Sequence, residues 1–162
     1  MDRHSQQNLR TIGPSGHSLD KVKESAAEAF NMTTGIALQS ELKIRLQLLA
    51  DQALAVLPIS SLSLLREAGL TKEEIASLVF TNQNPPVASE SSLSPEATAR
   101  LKLVAGLLAH GLRVYGSDTA LEWLHQPIRR FDQKSPLDFV TATQDFDKVD
   151  EYLIQVSEGY VF

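Results

Sequence analysis

The side chains best suited to acid–base or metal chemistry are the four histidines, His4, His17, His110 and His125. None stands three or four residues from another, the spacing that puts two imidazole ligands on one helix face, so no metal site is read. Cysteine is absent, which removes thiolate ligands, disulfides and thiol nucleophiles together. No glycine-rich phosphate loop and no nucleophile elbow occurs, so the chain reads as a non-enzyme without a cofactor. The chemistry left is recognition. Asp145, Asp147, Asp150, Glu151 and Glu158 crowd the C-terminal end, and Tyr160-Val161-Phe162 follows them as an apolar, aromatic tail. Cores seldom recruit residues at a chain end, so a binding role is favoured for the tail over a folded-back one. For Asp145 to Glu151, a solvated helix face and a docking surface weigh equally.

Charge placement supports a sorted surface. The net charge of −5 argues against a general nucleic-acid binder. Residues 73–99 carry four acids and no Lys or Arg, residues 100–134 six cations against three acids, and residues 135–162 six acids and only Lys148. No apolar run approaches the ~20 residues that span a bilayer. The N-terminus lacks a secretory pattern, so a cytoplasmic protein without membrane contact is expected.

These side chains need elements to hold them, and every periodic segment is helical: the fold class is all-α. Residues 1–17 read as a disordered leader. Residues 18–93 read as an N-terminal helical region, with Leu19, Val22, Ala26, Ala29 and Phe30 striping a short helix closed near Gly35. A longer helix is predicted over 36–57, striped by Leu38, Leu42, Leu46, Leu49, Ala53 and Val56 and ended by Pro58. A helix running to Gly69, then the capping box Thr71-Lys72-Glu73-Glu74, has the layout of a helix-turn-helix over about 59–93. Residues 94–162 form the C-terminal part. Ser94-Pro95 starts its long helix, which runs through Ala97, Leu101, Val104, Leu108, Leu112 and Tyr115 to Gly116. Asp118 is expected to cap the next helix, which holds Leu121, Trp123 and Leu124 and stops before Pro127. Ser135-Pro136-Leu137-Asp138 starts another. Phe146, Val149, Leu153 and Val156 stripe the last, closed by Gly159.

The constellation Ala120-x-x-Trp123-Leu124-x-x-Pro127, Phe131, Ser135-Pro136-Leu137-Asp138, then Val149, Leu153, Val156 and Gly159 resembles the toxin-binding domain of Xre/MbcA/ParS antitoxins. The resemblance covers about residues 59–162, specifically in the last 45 and loosely before them. It implies an antitoxin that binds and neutralises a cognate RES-type, NAD-consuming toxin by covering its active site. It implies a homodimer within a toxin–antitoxin complex, with a part in autoregulation of its own operon. The toxin contacts it points to are Asp150, Glu151, Ile154, Glu158, Gly159, Tyr160, Val161 and Phe162. Trp123, Leu124, Pro127, Ser135, Pro136, Leu137 and Asp138 shape the domain instead. For Trp123 and Leu124, core packing outweighs partner contact.

The chain departs from the family in two places. Residues 81–93, expected to hold a recognition helix, contain Pro85-Pro86 and no cation, whereas phosphate contacts need Lys or Arg. Any promoter contact falls weakly to Lys72, Asn82, Gln83 and Asn84, with Lys21, Lys23, Lys43, Arg45 or the basic 100–134 region as other sources. Glycine-rich turns often found near positions 132 and 145 are replaced by Asp132-Gln133 and Asp145-Phe146. The rival reading is a helix-turn-helix transcriptional regulator whose C-terminal domain only dimerises. An orphan helical scaffold is the third.

Overall fold

The computed structural model describes residues 37–80 and 91–160, together with Glu28 and Gly35. The leader, most of the first short helix, Asn82, Gln83, Asn84, Val161 and Phe162 lie outside the described residues. Leu38–Phe162 is one compact unit and Met1–Ala37 another. The larger unit is all-α. Helix α1 covers 38–50, α2 Ser63–Glu67, α3 Lys72–Val79, α4 Pro95–Tyr115, α5 Ser117–His125, α6 Pro136–Thr143 and α7 Phe146–Ser157. Short 3-10 turns at Ile59–Leu62 and Arg129–Phe131 lead into α2 and follow α5. Among the described residues the only extended pairing is two isolated bridges, Pro58 with Ser92 and Ile128 with Lys134.

Helix α4 is the axis on which α3, α5 and α7 pack. It starts where the sequence says it should, the Ser94 hydroxyl accepting from Ala97 N–H at 3.1 Å with Pro95 in the first turn. The predicted stripe Ala97, Leu101, Val104 and Leu108 is buried. Ala105, Leu107, Ala109 and His110 are buried too, because a central helix is covered on more than one side. The pair α2–α3 joins the same core through Leu64, Leu65, Ile75, Leu78 and Val79. Gly69 permits their turn. Its φ is +98°, and a Cβ there would lie 2.5 Å from Cδ1 of Leu121. The Thr71–Glu74 capping box forms in full, with Glu74 N–H to the Thr71 hydroxyl at 3.2 Å and Thr71 N–H to Glu74 at 2.7 Å.

Two expectations are corrected. Helix α1 ends at residue 50, not 57, leaving Ala53 and Val56 exposed. The following segment is drawn out by partners elsewhere. Leu57 N–H donates to the Thr98 hydroxyl at 3.1 Å, and Leu57 C=O accepts from Leu93 N–H at 2.8 Å. Position 57 also precedes a proline, which disfavours the helical region. Secondly, α5 begins at Ser117 with Gly116 (φ 76°) as its cap, so Asp118 stands inside the first turn.

Candidate functional site

The C-terminal helices are fixed by aromatic side chains and hydroxyl caps. Trp123 of α5 is 5 % exposed and stacks on Tyr115 of α4, ring centroids 5.2 Å apart. The ring closes on α4 because Gly111 has no side chain; a Cβ there would stand 3.2 Å from Cζ3 of Trp123. Burial, aided by a bond to the Tyr152 hydroxyl, pushes the Tyr115 phenol above its ordinary range, so Tyr115 is a neutral tie between α4 and α7. Leu124 is buried beside Trp123, while Pro127 is exposed and marks the chain's exit from α5. Phe131, fully buried, stacks on Phe139 of α6 at 4.9 Å and meets Tyr152 of α7 edge-on at 5.3 Å. Ser135 caps α6, accepting from Asp138 N–H at 3.0 Å and donating to the Asp138 carboxylate at 2.7 Å. Pro136 and Leu137 are buried behind that cap, and Asp138 is exposed.

The turns at Asp132-Gln133 and just before α7 adopt the conformation glycine favours. Asp132 (φ 56°) and Gln133 (φ 60°) are both left-handed, and before α7 the left-handed residue is Gln144 (φ 59°), one position ahead of Asp145. Asp145 caps α7, its carboxylate accepting from Lys148 N–H at 3.0 Å.

Helix α7 buries Phe146, Val149, Tyr152 and Leu153. Its opposite face carries Asp147, Glu151, Ile154 and Glu158, all exposed, with Ile154 at 42 %. Asp150 lies at the border, half-buried, with Oδ1 2.5 Å from Nδ1 of His110. Glu151 is engaged within the chain, 3.6 Å from Arg130 and accepting from Gln155 at 3.1 Å. Arg130 also donates to Gln155. The basic and acidic stretches therefore meet within the fold, leaving Asp147 and Glu158 as outward acids at α7 with no ion pair among the described residues. Gly159 (φ 79°) ends the helix in a paired-bond cap, with Gly159 N–H to Val156 C=O at 3.1 Å and Tyr160 N–H to Gln155 C=O at 2.9 Å. Tyr160 then emerges 69 % exposed.

On the other side of α7, an open groove of about 900 Å3 runs between α1, α4 and α7, lined by Ile44, Leu103, Gly106, His110 and Phe146 among others. Helix α3 presents Lys72 and Glu73 outward, and Glu74 is turned onto α5. His110, Gly111 and the Tyr115–Tyr152 tie are not legible in the sequence, because each meets its partner 12 to 40 residues away. A glycine inside a strongly periodic helix was the one available signal, pointing to close approach at Gly111.

Glu74 and His125 connect α3 to α5, Nε2 of His125 lying 2.7 Å from Glu74 and Nδ1 2.8 Å from Leu121 C=O. Both nitrogens face acceptors, so the imidazolium is favoured. The Glu74 bond, then the Leu121 carbonyl, raise the His125 pKa from 6.5 against the effect of burial. Burial pushes Glu74 up, but bonds from Thr71 and His125 together leave it below 4.5. A raised histidine contributes stability that is complete below its unfolded pKa and lost as pH climbs through the folded one. A depressed carboxylate contributes above its unfolded pKa. The tie is therefore strongest between the ordinary values, 4.5 and 6.5, and fades above them. Melting temperatures followed upward from about pH 6 should fall more for the wild type than for His125→Gln, modestly because the pair is partly exposed. Parallel curves would remove this tie from the account.

Residues 110–159 match the family model of the antitoxin Xre/MbcA/ParS C-terminal toxin-binding domain. A protein named antitoxin Xre from Pseudomonas putida is 32 % identical over 72 residues, covering 44 % of this chain and 45 % of that protein. The chain thus spans less than half the length of the curated relative it matches. No solved structure matches. The matched stretch opens at His110 in α4, takes in α5, α6 and α7, and closes on the Gly159 cap. Over residues 110–159 the chain is therefore similar to the C-terminal toxin-binding domain of Xre/MbcA/ParS antitoxins.

Proposed function

We propose that the chain binds and neutralises a toxin enzyme through the outward face of α7 and the tail that follows it. The observation that carries this reading is the match over residues 110–159, a stretch that includes the exposed face of α7 and ends one residue before the exposed Tyr160. The partner in this reading is a RES-type, NAD-consuming enzyme. Its pyrophosphate site must present positive charge, which Asp147 and Glu158 complement, speeding and orienting docking. Ile154 and Tyr160 supply the apolar contacts. The chain acts as a non-enzymatic inhibitor within a complex of several copies, a homodimer being the simplest. Autoregulatory promoter binding is secondary, and it draws on copy number because α3 offers only Lys72 as an outward cation.

Deleting Tyr160 to Phe162 separates binding from inhibition. The helix is already capped by Gly159, so melting should be unchanged, and co-purification with the toxin, which this reading assigns to the gene adjacent to this one, should persist. Inhibition should fall sharply, since interface anchors commonly carry a few kcal/mol while their surroundings carry little. Full inhibition by the truncated form at equal concentration would make the tail a passive end.

A further inference from the structure

We infer that His110 is a positioning residue for α7: its bond to Asp150 sets the rotation of that helix on α4, and so decides which side chains meet the partner. The inference rests on the docking role proposed above for α7.

His110 is 9 % exposed and its Nδ1 lies 2.5 Å from Oδ1 of Asp150. An ionised carboxylate only accepts, so Nδ1 carries the proton, and the bond is assisted by charge. The other grip of α4 on α7 is largely apolar, through Phe146, Val149 and Leu153. Apolar packing holds two helices together but tolerates shifts in how their ridges seat, whereas a short hydrogen bond has direction. On the helical wheel Asp150 sits between the buried stripe and the outward set Asp147, Ile154 and Glu158. Tyr152, tied to Tyr115, flanks the stripe on its other edge. The two polar ties bracket the buried face, and the one at His110 borders the docking side. Arg130 reaches α7 as well, but as an exposed pair with Glu151 it is the weaker restraint. Asp150, read from the sequence as a toxin contact, thereby gains a task within the chain: 49 % of its side chain faces solvent while one oxygen is held from inside.

The test uses the full chain with two substitutions. His110→Leu keeps bulk and removes the N–H; His110→Asn keeps a side-chain N–H close to where Nδ1 stood. The first readout is amide hydrogen exchange of the free chain, well below the melting temperature of each variant. The second is calorimetric affinity for the product of the adjacent gene. For His110→Leu, α7 amides should exchange roughly tenfold faster while α5 and α6 are unchanged, and affinity should fall about tenfold. His110→Asn should recover most of both. Adding Asp150→Ala to His110→Leu should cost no more affinity than Asp150→Ala alone, the signature of two residues acting as one unit. Equal losses in the Leu and Asn variants would overturn the inference, as would acceleration spread evenly over all helices. Wild-type affinity in a folded His110→Leu protein would overturn it too. If the wild-type chain fails to bind the adjacent product, the docking reading fails by itself. The exchange pattern still decides whether His110 fixes α7.

Discussion

Replacing Trp123 with alanine is expected to destabilise the chain by about 3–5 kcal/mol, the range for truncating a buried aromatic. The ring is 5 % exposed, stacks on Tyr115 and fits against α4 where Gly111 leaves room. Its removal opens a cavity between α4 and α5 that the rigid α4 backbone cannot fill. Affinity for a partner should drop with the folded fraction and no further. The indole N–H is buried without a protein acceptor among the described residues, so Trp123→Phe forfeits no hydrogen bond and should cost far less. Denaturant titrations of both variants measure this directly. A Trp123→Ala protein with wild-type melting and abolished partner binding would place the ring in an interface instead.

Phe131→Ala should cost a similar amount, about 3–5 kcal/mol, by a different route. Phe131 sits in a three-residue turn rather than a helix, fully buried between Phe139 of α6 and Tyr152 of α7. Nothing else in that turn is buried, so the ring is what anchors it. Loss of the ring should loosen α6 from α7 and free the turn that carries Arg130. The unfolding transition should then broaden as well as shift, because the α6–α7 region opens ahead of α3–α4. A sharp transition at the wild-type midpoint would contradict the packing described here.

Helix starts and stops were legible in the sequence wherever a single residue decides them locally. Ser94-Pro95, Thr71 with Glu74, Ser135 with Asp138 and Gly159 all cap as expected. The end of α1 was not legible, since periodicity continues to Val56 while the segment is held extended by Thr98 and Leu93, about 40 residues on. The buried stripe of α7 could be read from its spacing. The pairing of Asp150 with His110 and of Glu151 with Arg130 could not, because charge counts along a chain do not say which opposite charges the fold brings together.

The function proposed for this chain is the silencing of a partner enzyme through residues 110–159 and the tail. Its most direct test is to express the product of the adjacent gene in cells with and without this chain, and to follow growth and cellular NAD. The adjacent product alone is expected to arrest growth and deplete NAD, and co-expression to restore both while the two proteins purify together. Continued arrest with this chain folded and in excess would contradict it.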